Sequence, residues 1–239
     1  LIPANPTAGL SIPRSAPRKV IQRTVITPEQ FAAIPTNNRY YPAIKILYHT
    51  GMRISEVLGL TWEDVDLKTG EIRVIRQRQR ENYFDTPKTD TSTRSFYADV
   101  ILLAYLRTLK AVQTKEEMRL GKAYQIVYEN VKDCRALVVL PKILPCPDGC
   151  ERRALICVQP SGSPFRHTPV TCMFQALKMN AHSFRHTHAT RLIEAGAKPV
   201  DVAARLGHAD TTITQNLYTH DTEEMKQETA RILEEIVGK

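Results

Sequence analysis

A run of histidine and arginine within one predicted helix is the strongest constraint on how this chain can fold. The stretch "HSFRHTHATRLIEAG", residues 182–196, contains five such residues: His182, Arg185, His186, His188 and Arg191. Helical side chains three or four residues apart share a face, so the first three point one way and the last two lie elsewhere. Burying these groups without partners would be costly, and an arginine fork fits two phosphate oxygens. The helix therefore predicts an anion-binding face.

The charge of the whole chain favours the same kind of partner. Among 239 residues, 33 Lys and Arg outnumber 25 Asp and Glu, which gives a net charge of +8. This excess favours a polyanion, with nucleic acid first and an anionic membrane surface second. No apolar run approaches the roughly 18 residues of a membrane span, and the N-terminus has no signal-peptide core. We therefore expect a cytoplasmic protein with one large domain and no membrane partner.

The cysteines favour reduced thiols over a disulfide framework. The chain has five, an odd number, and it carries no export signal. Cys146, Cys150 and Cys157 offer three thiols, but their spacing matches no common zinc pattern and a fourth ligand is not obvious. We expect no metal and keep a zinc site as a minor alternative.

Capping signals predict a mainly helical fold. Thr27, Pro28 and Gln30 form an N-cap, a first-turn proline and a capping-box partner. Helices are predicted in "TPEQFAAI", residues 40–50 before Gly51, "RISEVLGL", Asp99 to about 115, "TPVTCMFQALK", "HSFRHTHATRLIEAG" before Gly196, "KPVDVAARLG" before Gly207, and "TEEMKQETARILEEIV". A strand is predicted in "EIRVIRQRQ", and two strand arms flank a polar turn in "NYFDTPKTDTSTRSFYA". The fold class is α+β: mainly α with a small antiparallel β-sheet.

Three other stretches carry groups that suit an anion site. Arg53 follows "HTGM" at a predicted helix start, and Glu56 lies one turn later. Lys88 lies in the polar hairpin, and "LGHADTTITQNLYTH" carries His208 and Tyr218. Each alone has an ordinary interpretation: Arg53 with Glu56 would be a surface ion pair, and Lys88 a solvated hairpin charge.

Taken together, these stretches resemble the tyrosine recombinases, the phage and conjugative-transposon integrases. The matching pieces are "HTGMRISEVLGLTWEDVD", "TPKTDTSTR", "HSFRHTHAT" and "LGHADTTITQNLYTH", in the order of the family and spread across residues 27–220. Each motif alone is weak, and four in order are specific. The resemblance implies a site-specific DNA recombinase that cleaves and rejoins strands through a 3′-phosphotyrosyl intermediate to integrate or excise a mobile element.

The resemblance also implies roles for individual residues. Arg53 and Arg185 are expected to hold the scissile phosphate, and Glu56 to brace Arg53. His182 matches the histidine three positions before the second arginine. His186, His188, Arg191 and His220 are treated as structural neighbours.

The remaining implied roles concern proton transfer and attack. Tyr218 matches the nucleophile, Lys88 the hairpin lysine, and His208 the position filled by His or Trp. Tyrosine has a reference pKa of about 10, so a base such as His182 would help to remove its proton. Lys88 can protonate the leaving 5′-oxygen. Two arginine forks can neutralise the charge that develops on phosphorus, so we expect no metal, ATP or other cofactor.

The resemblance divides the chain and suggests its partners. Residues 1–24 are expected to be a linker after an N-terminal DNA-binding domain that the chain lacks, and 25–221 the catalytic domain, with an insertion at about 116–165. Residues 222–239 form a C-terminal helix expected to exchange between protomers. The partners are double-stranded DNA with specific sites, a homo-oligomer of four chains on DNA, and accessory DNA-bending or directionality proteins. The link "MNA" before "HSFRH" is shorter than the family pattern.

Three alternatives come from other functional classes. "PVDVAARLGHADTTITQNLY" fits the helix-turn-helix of a DNA-binding regulator without catalysis. A type IB topoisomerase shares the chemistry but does not pair two sites. A zinc hydrolase that uses the histidine cluster ranks last.

Overall fold

The computed structural model describes residues 25–79, 83–85, 93–132 and 135–207. These ranges contain α1 Pro28–Ala32, α2 Tyr41–Thr50, α3 Ile54–Gly59, α4 Val100–Leu120, α5 His167–Ala176, α6 Ala181–Glu194 and α7 Pro199–Leu206. The strands are β1 Glu71–Val74, β2 Gln77–Arg78, β3 Phe84–Asp85, β4 Arg94–Tyr97, β5 Gln125–Asn130, β6 Leu137–Pro141 and β7 Cys150–Arg152. Every helix in the described ranges is too short or too polar to span a bilayer. The predicted fold class, mainly α with small antiparallel sheets, is confirmed.

The helix ends follow the capping signals of the sequence. Thr27 and Gln30 form the predicted capping box at the start of α1. Gly51 ends α2 and Gly207 ends α7, and both adopt the left-handed conformation that glycine tolerates best. The prediction that α4 ends near 115 is wrong, because the helix continues to Leu120 before Gly121. The helix predicted within 222–239 lies outside the described residues.

The main core forms around α2. This helix packs against α3, α4 and α6, and its Ile44 and Leu47 are fully buried. Leu102 and Leu106 of α4 and Phe184 of α6 complete the same apolar cluster. α7 packs against α6 and contacts β4. This packing therefore fixes the ends of α2, α3, α6 and α7 relative to one another.

The strands near the hairpin pair differently from the prediction. The single strand predicted in "EIRVIRQRQ" is divided into β1 and β2. The arms of the following stretch do not pair with each other in the described residues: β3 pairs with β2, and β4 pairs with β1, with Ile72 opposite Phe96. Both ladders are antiparallel. The hairpin tip that carries Lys88 lies outside the described residues.

The region predicted as an insertion contains its own sheet. β5 lies between β6 and β7, antiparallel to both. Phe84, Val127, Leu137 and Leu155 form a small second apolar cluster beside it. The four central residues of β5, "QIVYEN", are all buried. The segment therefore has no clear alternation of polar and apolar residues that would predict a strand.

The short link before α6 joins two well-formed helix ends. Lys178 adopts a left-handed conformation with φ of 54°, and the Met179 N–H donates to the Phe174 carbonyl at 2.8 Å. The Asn180 side chain accepts from the Ser183 N–H at 2.7 Å and caps α6. The residues between α5 and α6 therefore form a complete helix-to-helix turn.

Candidate active site

Arg53 and Glu56 form a closed pair at the start of α3. The Arg53 backbone N–H donates to Glu56 Oε2 at 2.8 Å, and Arg53 Nη1 donates to Oε1 at 2.8 Å. The Glu56 side chain is only 3% exposed, whereas that of Arg53 is 36% exposed. The alternative of a surface ion pair is therefore wrong, because its carboxylate is buried.

A second arginine, Arg94 on β4, binds the same carboxylate. Arg94 Nη1 donates to Glu56 Oε1 at 3.1 Å, and Nη2 donates to Oε2 at 2.9 Å. Its side chain is 6% exposed. This residue ends the family-like motif "TPKTDTSTR", and the family resemblance assigns it no role. Its signal was strand alternation, because Arg94 lies two residues before the buried Phe96 and so shares its inward face.

Arg185 is buried on α6 and is held by backbone carbonyls. It is 6% exposed. Its Nη1 donates to the Gly51 carbonyl at 3.0 Å, and its Nη2 donates to the Leu206 carbonyl at 2.6 Å. These two carbonyls lie at the C-terminal ends of α2 and α7, where the helix dipole favours a cation.

The end of α7 brings the three arginines together. Arg94 Nε donates to the Arg205 carbonyl at 2.7 Å, Arg185 to that of Leu206 at 2.6 Å, and Arg53 Nη2 to that of Gly207 at 3.1 Å. Three consecutive carbonyls therefore each accept from a different arginine. We name Arg53, Arg94, Arg185 and Glu56 the arginine cluster.

The electrostatics of the cluster reflect crowded positive charge. Burial, followed by the charge of Arg53, lowers the pKa of Arg185 to about 9. Burial raises the pKa of Glu56, but hydrogen bonds and charge from Arg94, and then hydrogen bonds from Arg53, hold that pKa below its ordinary value. Glu56 therefore stays ionised near neutral pH. The described part of the cluster has three guanidinium groups and one carboxylate, which suits a bound anion.

The other residues of the opening stretch divide into exposed and structural positions. His182 is exposed in the first turn of α6, one turn before Arg185, and His186 is partly buried. Arg191 donates to the Tyr48 hydroxyl and to the Ile26 carbonyl. His188 Nε2 accepts from Arg205 Nε at 3.2 Å. Burial, followed by the charge of Arg205, lowers the pKa of His188 to about 4, so this imidazole is neutral.

The structure brings Arg53, Glu56 and Arg185 of the predicted set together. Lys88, His208 and Tyr218 lie outside the described residues, as does His220. His208 follows directly after Gly207, the last described residue. Within the described residues, no three His, Cys, Asp or Glu side chains are grouped to hold a metal ion. Of the cysteines weighed for zinc, Cys157 is buried and Cys146 is exposed.

Comparison with known proteins decides the family. The model of the phage integrase family matches residues 19–92 and 165–225. The chain belongs to the phage integrase family. The two matched segments contain Arg53, Lys88 and Arg185 together with His182, His208 and Tyr218. Arg94 lies two residues beyond the first segment, and α4 with the β5–β7 sheet lies in the unmatched part.

Individual relatives of this phage integrase family member are named as recombinases and transposases, in agreement with the predicted family. A "Tyrosine recombinase XerC-like" protein of Caldanaerobacter subterraneus subsp. tengcongensis is 26% identical over 80% of this chain and 48% of its own length. The "Transposase from transposon Tn916" of Enterococcus faecalis is 28% identical over 84% of this chain and 49% of its length. The chain thus spans about half the length of these curated relatives.

Solved structures show the same fold. The Tn1549 transposon integrase, in complex with transposon right end DNA, matches 92% of this chain and 68% of its own with a TM-score of 0.66 and 24% identity. The XerA recombinase matches 86% of this chain and 63% of its own with a TM-score of 0.55 and 19% identity. The predicted tyrosine recombinase catalytic-domain fold is confirmed.

Proposed function

We propose that this chain is the catalytic part of a site-specific DNA recombinase that integrates or excises a mobile element. The observation that carries the proposal is the arginine cluster, in which three guanidinium groups converge on one helix end with a single carboxylate among the described residues. Arginine forks of this kind suit the oxygens of a phosphodiester. Family membership and relatives named as recombinases and transposases support the same function.

The proposed reaction is a transesterification at phosphorus. The Tyr218 oxygen attacks the scissile phosphate, the bond to the DNA 5′-oxygen breaks, and a 3′-phosphotyrosyl link forms. Arg53 and Arg185 stabilise the negative charge on the non-bridging oxygens. Because the new ester retains the energy of the old one, a 5′-hydroxyl can reverse the step and rejoin the strand without ATP.

The proposed proton transfers use the remaining predicted residues. His182, exposed at the start of α6, takes the proton of the Tyr218 hydroxyl. Lys88 gives a proton to the leaving 5′-oxygen, which arginine does poorly because it stays charged. His208, directly after the carbonyl that holds Arg53, donates a hydrogen bond to the phosphate. Glu56 supports Arg53 without contacting DNA.

The proposal extends to domains and partners. Residues 25–221 would act as the catalytic domain, 1–24 as the linker after a DNA-binding domain, and 222–239 as a helix exchanged between protomers. The partners would be double-stranded DNA carrying specific sites, three further copies of the chain, and accessory DNA-bending or directionality proteins. The Tn1549 integrase bound to transposon end DNA supports the DNA partner. We propose the cytoplasm as the place of action.

Covalent capture tests the function. The 239-residue chain is incubated with a pool of nicked duplexes of randomised sequence and run on a denaturing gel. The parent should form a protein–DNA adduct that survives denaturation, whereas Tyr218→Phe should bind the pool equally well and form none. An adduct of equal yield in Tyr218→Phe would reject Tyr218 as the nucleophile, and no adduct with the parent would favour a regulator that only binds DNA. A topoisomerase would give adducts but no products that join two sites.

A further inference from the structure

Arg94 makes contacts that a phosphate-binding residue would not need. Its side chain is 6% exposed, compared with 36% for Arg53. Both Glu56 oxygens accept hydrogen bonds from it, at 3.1 and 2.9 Å, and its Nε donates to the Arg205 carbonyl at 2.7 Å. These contacts therefore connect Arg94 to α3 and α7, the helices whose ends carry or hold Arg53.

Arg53 is held by the same two parts of the fold, Glu56 of α3 and the end of α7. Its Nη1 donates to Glu56 and its Nη2 to the Gly207 carbonyl. These contacts use two of the five N–H donors of a guanidinium, and the partly exposed side chain can offer others to a ligand. If Glu56 or the end of α7 moves, one of the two anchors of Arg53 moves with it.

Arg185 depends on the same helix end. Its Nη2 donates to the Leu206 carbonyl, between the carbonyls that bind Arg94 and Arg53. The geometry of three successive carbonyls is fixed by the last turn of α7. A group that holds this turn therefore sets the spacing of Arg53 and Arg185 with respect to each other.

We propose that Arg94 is a positioning residue, which fixes Glu56 and the last turn of α7 so that Arg53 and Arg185 meet one phosphate. The proposal rests on the proposed function for its consequence in catalysis. Arg94 does not contact the phosphate. It also lies six residues after Lys88 in the chain, so it links β4, the strand that follows the lysine, to the same cluster.

Two further observations agree with this role. After burial, which acts in the opposite direction, hydrogen bonds and charge from Arg94 are the largest causes that lower the pKa of Glu56, ahead of Arg53. Gly207 also packs closely on Arg94, because a Cβ added there would lie 3.0 Å from Arg94 Nη1. The chain just before His208 is therefore fitted to this guanidinium.

The same core provides a matched control. Arg76 Nη1 donates to Asp64 Oδ2 at 2.8 Å, with side chains 12% and 2% exposed. This pair also joins a buried carboxylate to an arginine, here in the link between β1 and β2, and Arg76 donates to Thr61 as well. Among the described residues, its hydrogen bonds go to Thr61 and Asp64, outside the arginine cluster. Loss of Arg76 therefore reproduces the loss of a buried ion pair without the proposed positioning effect.

The experiment compares the parent chain with Arg94→Gln, Arg94→Lys and Arg76→Gln. Adduct formation on the nicked-duplex pool is followed over a range of DNA concentrations, which separates the rate at saturation from the half-saturating concentration. Melting temperature reports folding, and calorimetric titration with inorganic phosphate reports the anion site without DNA.

Arg94→Gln should lower the rate at saturation by about 10- to 100-fold, the loss typical when a residue that orients a metal ligand is removed, because Arg94 would orient Arg53 in the same way. The half-saturating concentration should stay near that of the parent. Arg94→Lys should recover part of the rate, because lysine keeps the positive charge beside Glu56. Recovery should be incomplete, because one ammonium cannot reach both Glu56 and the Arg205 carbonyl. Arg76→Gln should melt at a lower temperature yet keep the rate of the parent.

Three results would overturn the positioning role. They are a parent-like rate in Arg94→Gln, an equal loss of rate in Arg76→Gln, and a rise in half-saturating concentration that accounts for the whole loss, which would indicate direct contact with DNA. If the parent forms no adduct, the proposed function fails by itself. Arg94 is then judged by phosphate titration: weaker binding in Arg94→Gln than in Arg76→Gln supports positioning, and equal binding contradicts it.

Discussion

Two buried glutamates in this molecule are each held by two arginines, and they differ in what surrounds them. Glu129 on β5 accepts from Arg135 Nε and Arg153 Nε, both at 2.6 Å, and Arg153 also pairs with Glu151. That group has two positive and two negative side chains. Among the described residues, the arginine cluster around Glu56 has three guanidinium groups for one carboxylate.

The two groups show how the same local pairing serves different ends. Burial lowers the pKa of Arg153, but its hydrogen bond to Glu129 and the nearby carboxylates outweigh burial and raise that pKa. Arg185 shows the opposite direction, with a pKa lowered to about 9. A balanced group stabilises the fold around it, whereas an unbalanced group is expected to gain stability from an added anion. A buried Arg–Glu pair therefore indicates a binding site only when the charged side chains around it leave an excess of positive charge.

The largest expected difference between the two groups lies in the cleavage rate. Arg185→Ala should slow adduct formation by about 10²- to 10³-fold, the size of losing one donor to a developing anionic charge. Arg153→Ala should leave the rate unchanged, since its partners are the carboxylates of the β5–β7 sheet. The rate is measured on nicked duplexes at saturating DNA. Equal losses in the two variants would remove the functional distinction.

The next effect is on stability. Glu56→Gln should cost about 3 kcal/mol of unfolding free energy, because it leaves buried guanidinium groups without their carboxylate. Glu129→Gln should cost about 1 kcal/mol, because the side chains of Arg135 and Arg153 are 37% and 20% exposed and can be hydrated. Urea titration at neutral pH measures both. A larger loss at Glu129 would contradict the charge argument.

The pH dependence of the stability lost in Glu56→Gln and Glu129→Gln shows whether charge causes that loss. Despite the opposing effect of burial, the arginine partners hold the pKa of both glutamates below the ordinary 4.5. A carboxyl with a lowered pKa stabilises the fold above its unfolded pKa and loses that contribution as pH falls through the folded value. The difference between parent and each Gln variant should therefore be complete above about pH 5 and shrink below pH 4.5. A constant difference would point to packing instead of charge.

The smallest effect compares two helix ends. Gly207 and Gly196 both have positive φ, +68° and +88°, but a Cβ at Gly207 would meet Arg94 at 3.0 Å, and one at Gly196 would meet nothing within 4 Å. Each substitution by alanine should cost about 1 kcal/mol of stability from left-handed strain. Gly207→Ala alone should also slow cleavage, by roughly 10-fold. In the Arg94→Gln background, Gly207→Ala should cause no further loss of cleavage rate. A roughly 10-fold loss in that background as well would show that Gly207 acts independently of Arg94.

Local signals in the sequence predicted most of what is local in the structure. The capping box of Thr27 and Gln30 and the helix ends at Gly51 and Gly207 involve residues a few positions apart. The pairing of Arg53 with Glu56 also spans one helical turn, so its existence was predictable, although its burial was not. The family motifs added the roles of residues that no local pattern could assign.

Long-range contacts were beyond the same reasoning. Arg94 and Glu56 are 38 positions apart, and Arg53 reaches a carbonyl 154 positions away. Every residue type has the same backbone carbonyl, so nothing in "AARLG" indicated that three arginines would donate hydrogen bonds to this segment. The division of "EIRVIRQRQ" into β1 and β2 likewise depends on two partner strands that follow later in the chain.

The hydrogen bonds from three arginines to the carbonyls at the end of α7 determine which positions can change as such sequences diverge. The acceptors are peptide oxygens, which every residue type at 205 and 206 provides, so packing restricts these two positions: Leu206 is buried and Arg205 donates to His188. The glycine at 207 and the three arginines are restricted by the hydrogen-bonded cluster itself. A search for distant relatives should therefore give more weight to one glycine and three arginines than to the rest of the helix that joins them.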